Sequence, residues 1–198
     1  MPGLERCSSE IKKSIMQDCQ KPIIHGWEDT ILFFNFKDVL FVPNATNYRL
    51  KTAIELRQGA KPFAVYNPAN IPFEGVQEEA VFDGTRPAYN KTLTFTIPMR
   101  GGDTSRDVVE PLLKNREGFV AILAAKDKVG DGSFPIIGSE SGAVCTVQSR
   151  QNANVAQGGE WQITLVEESV PTAEICLFDT DYTTSRAEFD RVLALVTV

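Results

Sequence analysis

The sequence predicts a mainly antiparallel β fold, a sandwich or barrel of roughly seven to nine strands with about three short helices. Three observations carry that expectation. The segment NKTLTFTIP, Asn90 to Pro98, alternates strictly, with Leu93, Phe95 and Ile97 on one face and Thr92, Thr94 and Thr96 on the other, which is the period of a strand. Runs rich in Phe, Ile, Val and Thr recur at strand length between turns of Gly, Pro and Asn. Only three short segments carry helical spacing.

Taken in order, SSEIKKSIMQDC places Ile11, Ile15, Met16 and Cys19 on one side of a short helix, with Ser8 or Ser9 as its N-cap. DTILFFNFKDVLFV, Asp29 to Val42, reads as one or two strands. From Pro43 to Pro87, repeated Pro, Asn and Gly break the chain into short strands (KTAIEL, PFAVY, EAVFD) joined by long loops. Loops of that kind commonly contact partners. After the Asn90–Pro98 strand, a helix beginning near Thr104 carries Val108, Val109, Leu112 and Leu113, weakened or kinked by Pro111. Then come strands in GFVAILAAKD, SFPIIG, AVCTVQSRQN and GEWQITLVEES, a short ICLF, and a last helix in which Tyr182, Arg186, Phe189 and Leu193 form a stripe. Asp181 or Thr183 caps that helix, and it lies against the sheets. The expected organisation is one β-rich domain over 1–198, with an N-terminal helical arm (about 1–28) and a loop-rich insertion (about 43–87).

Composition narrows the function. A chain of 198 residues with 42% hydrophobic and 23% charged residues is ordinary for a globular domain. Its net charge of -6 argues against gripping nucleic acid, which needs a basic face, but suits a wall past which DNA slides. The longest apolar run, FVAILAA from Phe119 to Ala125, falls far short of the roughly 18 residues that span a bilayer. MPGLERCSSEIKKS lacks a signal peptide's apolar centre, so no secretion is expected and the sequons at Asn44 and Asn90 carry no glycan. Cys7, Cys19, Cys145 and Cys176 are far apart, and His25 is the single histidine. A zinc site would need all four thiols to converge, so free buried thiols are expected.

The stretch KDKVGDGSFPIIGSESGAV, Lys126 to Val144, invites three chemical readings. A calcium loop starting at Asp127 has Val129 where a ligand is required and Gly138 at its twelfth position; only Asp131 and Gly132 fit. A phosphate loop lacks its lysine and leads into β-branched residues rather than a helix. A nucleophile elbow would need serine where Glu140 stands, and its base could only be His25. What remains is a hairpin turn at VGDG and a bend or bulge at GSESG. The doublets Glu78–Glu79 and Glu167–Glu168 point to opposite strand faces and read as solvated acids rather than catalytic pairs. His25 reads as a hydrogen-bonded structural residue, and Arg100, Arg106, Arg116 and Arg150 as scattered ion-pair partners at subunit contacts. No catalytic residue, cofactor site or metal site is expected.

A resemblance adds to this. The order of strand, turn, GSESGA element, Asn/Gln/Gly-rich link, WQITLV strand and closing FDTDYTTSRAEF, together with the upstream CQKPIIHGWEDTILFFNFKDV, is similar to virion proteins of tailed phages of Bacteroides-type hosts, the crAss-like group included. Pro43 to Pro87 is not covered. The resemblance implies a tail-tube-like or head–tail ring protein, made in the bacterial host cytoplasm and resident in the virion. It would close into a ring of roughly six or twelve copies, contact neighbouring tail or portal-region proteins, and let DNA pass without a membrane being involved. It offers no catalytic residues. Two other classes stay open: a non-viral β-sandwich module binding carbohydrate or protein through Trp27, Trp161, Tyr66 and Tyr89, and an enzyme dependent on His25.

Overall fold

The computed structural model describes residues 26–66, 75–82, 87–97, 105–128, 130–150 and 160–196. The expected N-terminal helix, Cys7, Cys19, His25 and Arg100 lie outside them, as does Val129. The fold is mainly antiparallel β. Its strands are β1 (Thr30–Asn35), β2 (Val39–Pro43), β3 (Leu50–Leu56), β4 (Phe63–Tyr66), β5 (Gly75–Phe82), β6 (Pro87–Ile97), β7 (Phe119–Ile122), β8 (Ile136–Ile137), β9 (Val144–Arg150), β10 (Trp161–Val170) and β11 (Cys176–Leu177). Among the described residues two short α-helices accompany them, α1 (Glu110–Lys114) and α2 (Tyr182–Leu193). The described strands outnumber the seven to nine expected: DTILFFNFKDVLFV forms two, split at a 3-10 turn, Phe36–Asp38, and the SFPIIG and ICLF segments each contribute a strand of only two residues, β8 and β11.

The strands form three sheets, in the orders β4-β1-β7-β8, β5-β6-β10-β9 and β11-β3-β2. Among the described residues every ladder is antiparallel except the parallel pair β11–β3. The 43–87 region supplies one strand to each sheet: β3, β4 and β5. The first and third sheets join where Ile136 N–H donates to the Ile175 carbonyl and Leu177 N–H to the Phe134 carbonyl, both at 2.8 Å. The first and second touch where Phe119 and Ala143 exchange both backbone bonds, at 2.9 and 2.8 Å.

The first sheet is the middle layer. Both β7 and the central ILFF of β1 are buried along their length, so their apolar runs do not alternate, as expected when both sheet faces are covered. Ile31, Phe33, Phe119 and Ala121 face the second sheet, meeting Leu93, Phe95 and Ile97 of β6 and Ile163 and Leu165 of β10. Leu32, Phe34, Val120 and Ile122 face the other way, onto Val39 of β2, Ile54 of β3, and Phe189 and Val192 of α2. Phe33 stands edge-on to Phe95, ring centroids 5.9 Å apart, tying two layers by an aromatic contact.

The last helix is capped by Asp181, whose Oδ1 accepts the Thr184 N–H at 2.7 Å. Its buried face is Ser185, Phe189 and Val192, a rotation from the expected stripe. Arg186 leaves that stripe because its guanidinium pairs with Glu28 at 2.6 Å and Asp190 at 2.9 Å. Ser185 can take an inward place because its hydroxyl is satisfied: it donates to the Asp181 carbonyl at 2.7 Å and accepts the Asp179 N–H at 3.0 Å. Pro111 sits in the first turn of α1, where no donor is missed, and a π-helical turn, Ser105–Val109, precedes it. Among the described residues no helix is long and apolar enough to cross a membrane.

Candidate functional site

The Lys126–Val144 stretch is a hairpin followed by a tight turn. Strands β7 and β8 pair antiparallel, and the ladder runs outward through Ala125 N–H to the Ser133 carbonyl at 2.8 Å. Ser133 closes the base of the loop, its hydroxyl donating to the Gly130 carbonyl at 3.0 Å. Next comes GSESG. Gly138 (φ +83°) and Gly142 (φ +79°) are both left-handed, and a Cβ on Gly138 would run into the Phe119 carbonyl oxygen. Only glycine fits against β7 there.

The turn this creates points three backbone N–H groups inward, and a carboxylate occupies them. Glu167 of β10 accepts from Gly138 N–H at 2.9 Å through Oε2, and from Glu140 and Ser141 N–H at 2.9 and 3.0 Å through Oε1. The loop is therefore an anion cradle, but its anion comes from the same chain. Lys91, the cross-strand neighbour of Glu167 on β6, lies 3.8 Å away, and both side chains are fully buried. At that distance the pair is Coulombic, since a charge-assisted hydrogen bond would be about 2.7–2.9 Å; the Lys91 ammonium has no hydrogen-bond partner.

This corrects the reading of Glu167–Glu168 as solvated acids. Glu168 is exposed; Glu167 is wholly buried. The signal was parity. Glu167 continues the inward series Ile163–Leu165, and Lys91 continues Leu93–Phe95–Ile97. What hid the pair was long-range: the partners of Glu167 are 26 to 29 residues upstream in a glycine turn. A bulge follows directly, with Ser169 at φ +56° and its N–H held by the Asn90 side chain at 3.0 Å. Both sequon asparagines thus have structural work, because Asn44 Oδ1 accepts the Thr46 N–H at 2.9 Å in the β2–β3 turn. Glu78 and Glu79 are exposed on β5; Glu78 is opposite Lys91, and partial burial pushes its carboxyl up from the usual range despite that ammonium.

The outer side of the same turn borders a groove of about 650 Å³. Ser139, Ser141 and Arg116 bound it on one side, and Val39, Leu40 and Phe41 of β2 on the other. Lys37, Lys51 and Arg57 also line it, so four cations face one carboxylate, Glu117, which pairs with Lys37 at 3.0 Å. In a chain of net charge -6 this is a local inversion of sign. Of the arginines read as scattered ion-pair partners, Arg116 lines the groove and Arg106 does not; folding sets beside Arg116 an arginine outside that set, Arg57.

A second, apolar cleft of about 380 Å³ lies where β4 (Phe63, Val65) meets α1 (Pro111, Leu112). The remaining candidates stay apart. Cys176 is buried, and burial with Glu174 beside it pushes its thiol far up, out of reach as a thiolate at neutral pH; Cys145 is half-buried. Among the described residues no three His, Cys, Asp or Glu side chains converge as metal ligands. Trp27 and Trp161 pack against the sandwich core, while Tyr66 is 55% exposed on the sheet edge. Comparison of the chain with models of known protein families, with curated proteins and with solved structures gives no match.

Proposed function

We propose that this chain is a non-enzymatic structural subunit of a phage virion, assembling into a ring or tube of the tail or head–tail connector through which DNA passes. One observation carries the assembly part of this reading: among the described residues, two sheets end in strands with no ladder neighbour on their outer side and with exposed aromatic side chains. Strand β4 presents Phe63 at 51% and Tyr66 at 55% exposure, and β5 presents Phe82 at 72%. Open edges bearing apolar side chains are a hazard to a lone subunit, and pairing them with a neighbour removes it. The acidic charge suits a wall that must not hold DNA. The phage part rests on the sequence resemblance. The alternative, a non-viral β-sandwich module binding carbohydrate or protein, needs a shared aromatic platform, and the packing of Trp27 and Trp161 against the core works against one.

The test is particle mass and shape. Mass photometry and negative-stain imaging over rising concentration should give closed rings of roughly six or twelve copies. A strictly monomeric particle at high concentration, also beside neighbouring tail or portal proteins, would sink the proposal.

A further inference from the structure

We infer that the cationic groove beside β2 receives the β5 edge of the next copy; this rests on the ring-subunit reading above. Copies of net charge -6 repel one another, so their contact needs a place where the sign is reversed. The groove is that place, with Lys37, Lys51, Arg57 and Arg116 against a single Glu117. Its wall is strand β2, which among the described residues has a ladder neighbour only on its β3 side and leaves Leu40 47% exposed. The complement is on the same chain. Among the described residues strand β5 has a ladder neighbour only in β6, and its exposed residues run Gln77, Glu78, Glu79, Ala80, Val81 and Phe82, with two acids ahead of an apolar end. Acids suit the groove's rim, and the apolar end suits its Val39 and Phe41 lining.

A free inorganic anion would use the cations but leave that apolar lining and the outer β2 backbone without a purpose. An added strand uses all three, the β2 edge offering main-chain bonds and the groove offering side-chain selectivity. Because β5 and β2 are different edges, the contact is head-to-tail, the kind that generates rings when its rotation closes.

Charge reversal tests this directly. Arg57 and Glu79 are exposed, so Arg57→Glu and Glu79→Lys should leave the fold and its melting unaltered. Sedimentation velocity on the full chain should show each single variant associating at least about tenfold more weakly than the wild type, and the double variant returning to within about threefold of it. Wild-type rings that neither reversal weakens, or single losses that the double variant does not recover, overturn this contact and leave the ring-subunit reading standing. If titrated inorganic phosphate saturates the groove without lowering association, the occupant is an anion and the contact is overturned as well. A wild type that never associates overturns both.

Discussion

Glu167 and Lys91 are formally a buried ion pair, but the two charges are not equally dependent on each other. Three backbone N–H groups already hold the carboxylate, whereas the ammonium has no hydrogen bond. Removing the carboxylate leaves three backbone donors, that of Gly138 buried, and a buried cation unmatched; removing the ammonium leaves an anion that keeps its three hydrogen bonds. We therefore expect a strong asymmetry in urea unfolding. Glu167→Ala should cost about 3–5 kcal/mol, and Lys91→Met no more than about 1 kcal/mol. Equal losses would mean that the Coulombic pair, not the cradle, stabilises this corner. Gly138→Ala should be as damaging as Glu167→Ala, since the new Cβ must displace the Phe119 carbonyl and the left-handed backbone together. Circular dichroism melting of that variant checks it.

Helix α2 is fastened to the third sheet by one polar clamp. Glu188 Oε1 accepts the Ile54 N–H at 2.8 Å, Arg191 Nε donates to Glu188 Oε2 at 2.7 Å, and Arg191 also donates to the Ile54 carbonyl at 2.8 Å. Burial alone would raise the Glu188 carboxyl; Arg191 and the Ile54 amide outweigh it and hold it below the usual range. A carboxylate depressed in the folded state stabilises the fold above its unfolded pKa of about 4.3, and that stability is lost as pH falls through the lower folded value. Asp181 at the N-cap is depressed too, through the Thr184 N–H, and adds in the same direction. Acid titration monitored by circular dichroism should show a helix loss that Glu188→Gln makes shallower, with lower stability at neutral pH. An acid limb unchanged in Glu188→Gln would assign the loss to other carboxylates. On the apolar side, Phe189→Ala removes a ring that touches Phe134 at 5.6 Å between centroids and should cost about 3–5 kcal/mol in the same assay.

At the scale of the whole molecule, a doubly covered middle sheet supplies stability, and the outer edges are left for association. Phe82, 72% exposed at the end of β5, contributes little to the monomer. Phe82→Ser should leave unfolding within about 0.5 kcal/mol of wild type while reducing the ring fraction in mass photometry. Because the contact inferred above joins opposite charges near the surface, association should also weaken as salt shortens the screening length to below about 10 Å. Salt-independent association would point instead to an apolar contact through the Phe63–Leu112 cleft.

Much of the architecture was legible from residue order. The alternation of Asn90–Pro98 specifies β6 and its inward face, the apolar ILFF and FVAI runs specify strands, and Asp181 marks a helix start. These are local consequences of period, β-branching and capping, which the sequence determines by itself. The glycines of GSESG likewise announced a bend. Tertiary structure alone decided what that bend is for. Its three amides find a use only when β10 brings Glu167 beneath them, and Lys91 becomes buried only when β6 pairs with β10 in that register. The groove has the same origin, since Lys37, Lys51, Arg57 and Arg116 are separate surface charges in the sequence and one cationic site in the fold. Periodicity states which face a residue takes; long-range pairing states what stands opposite it.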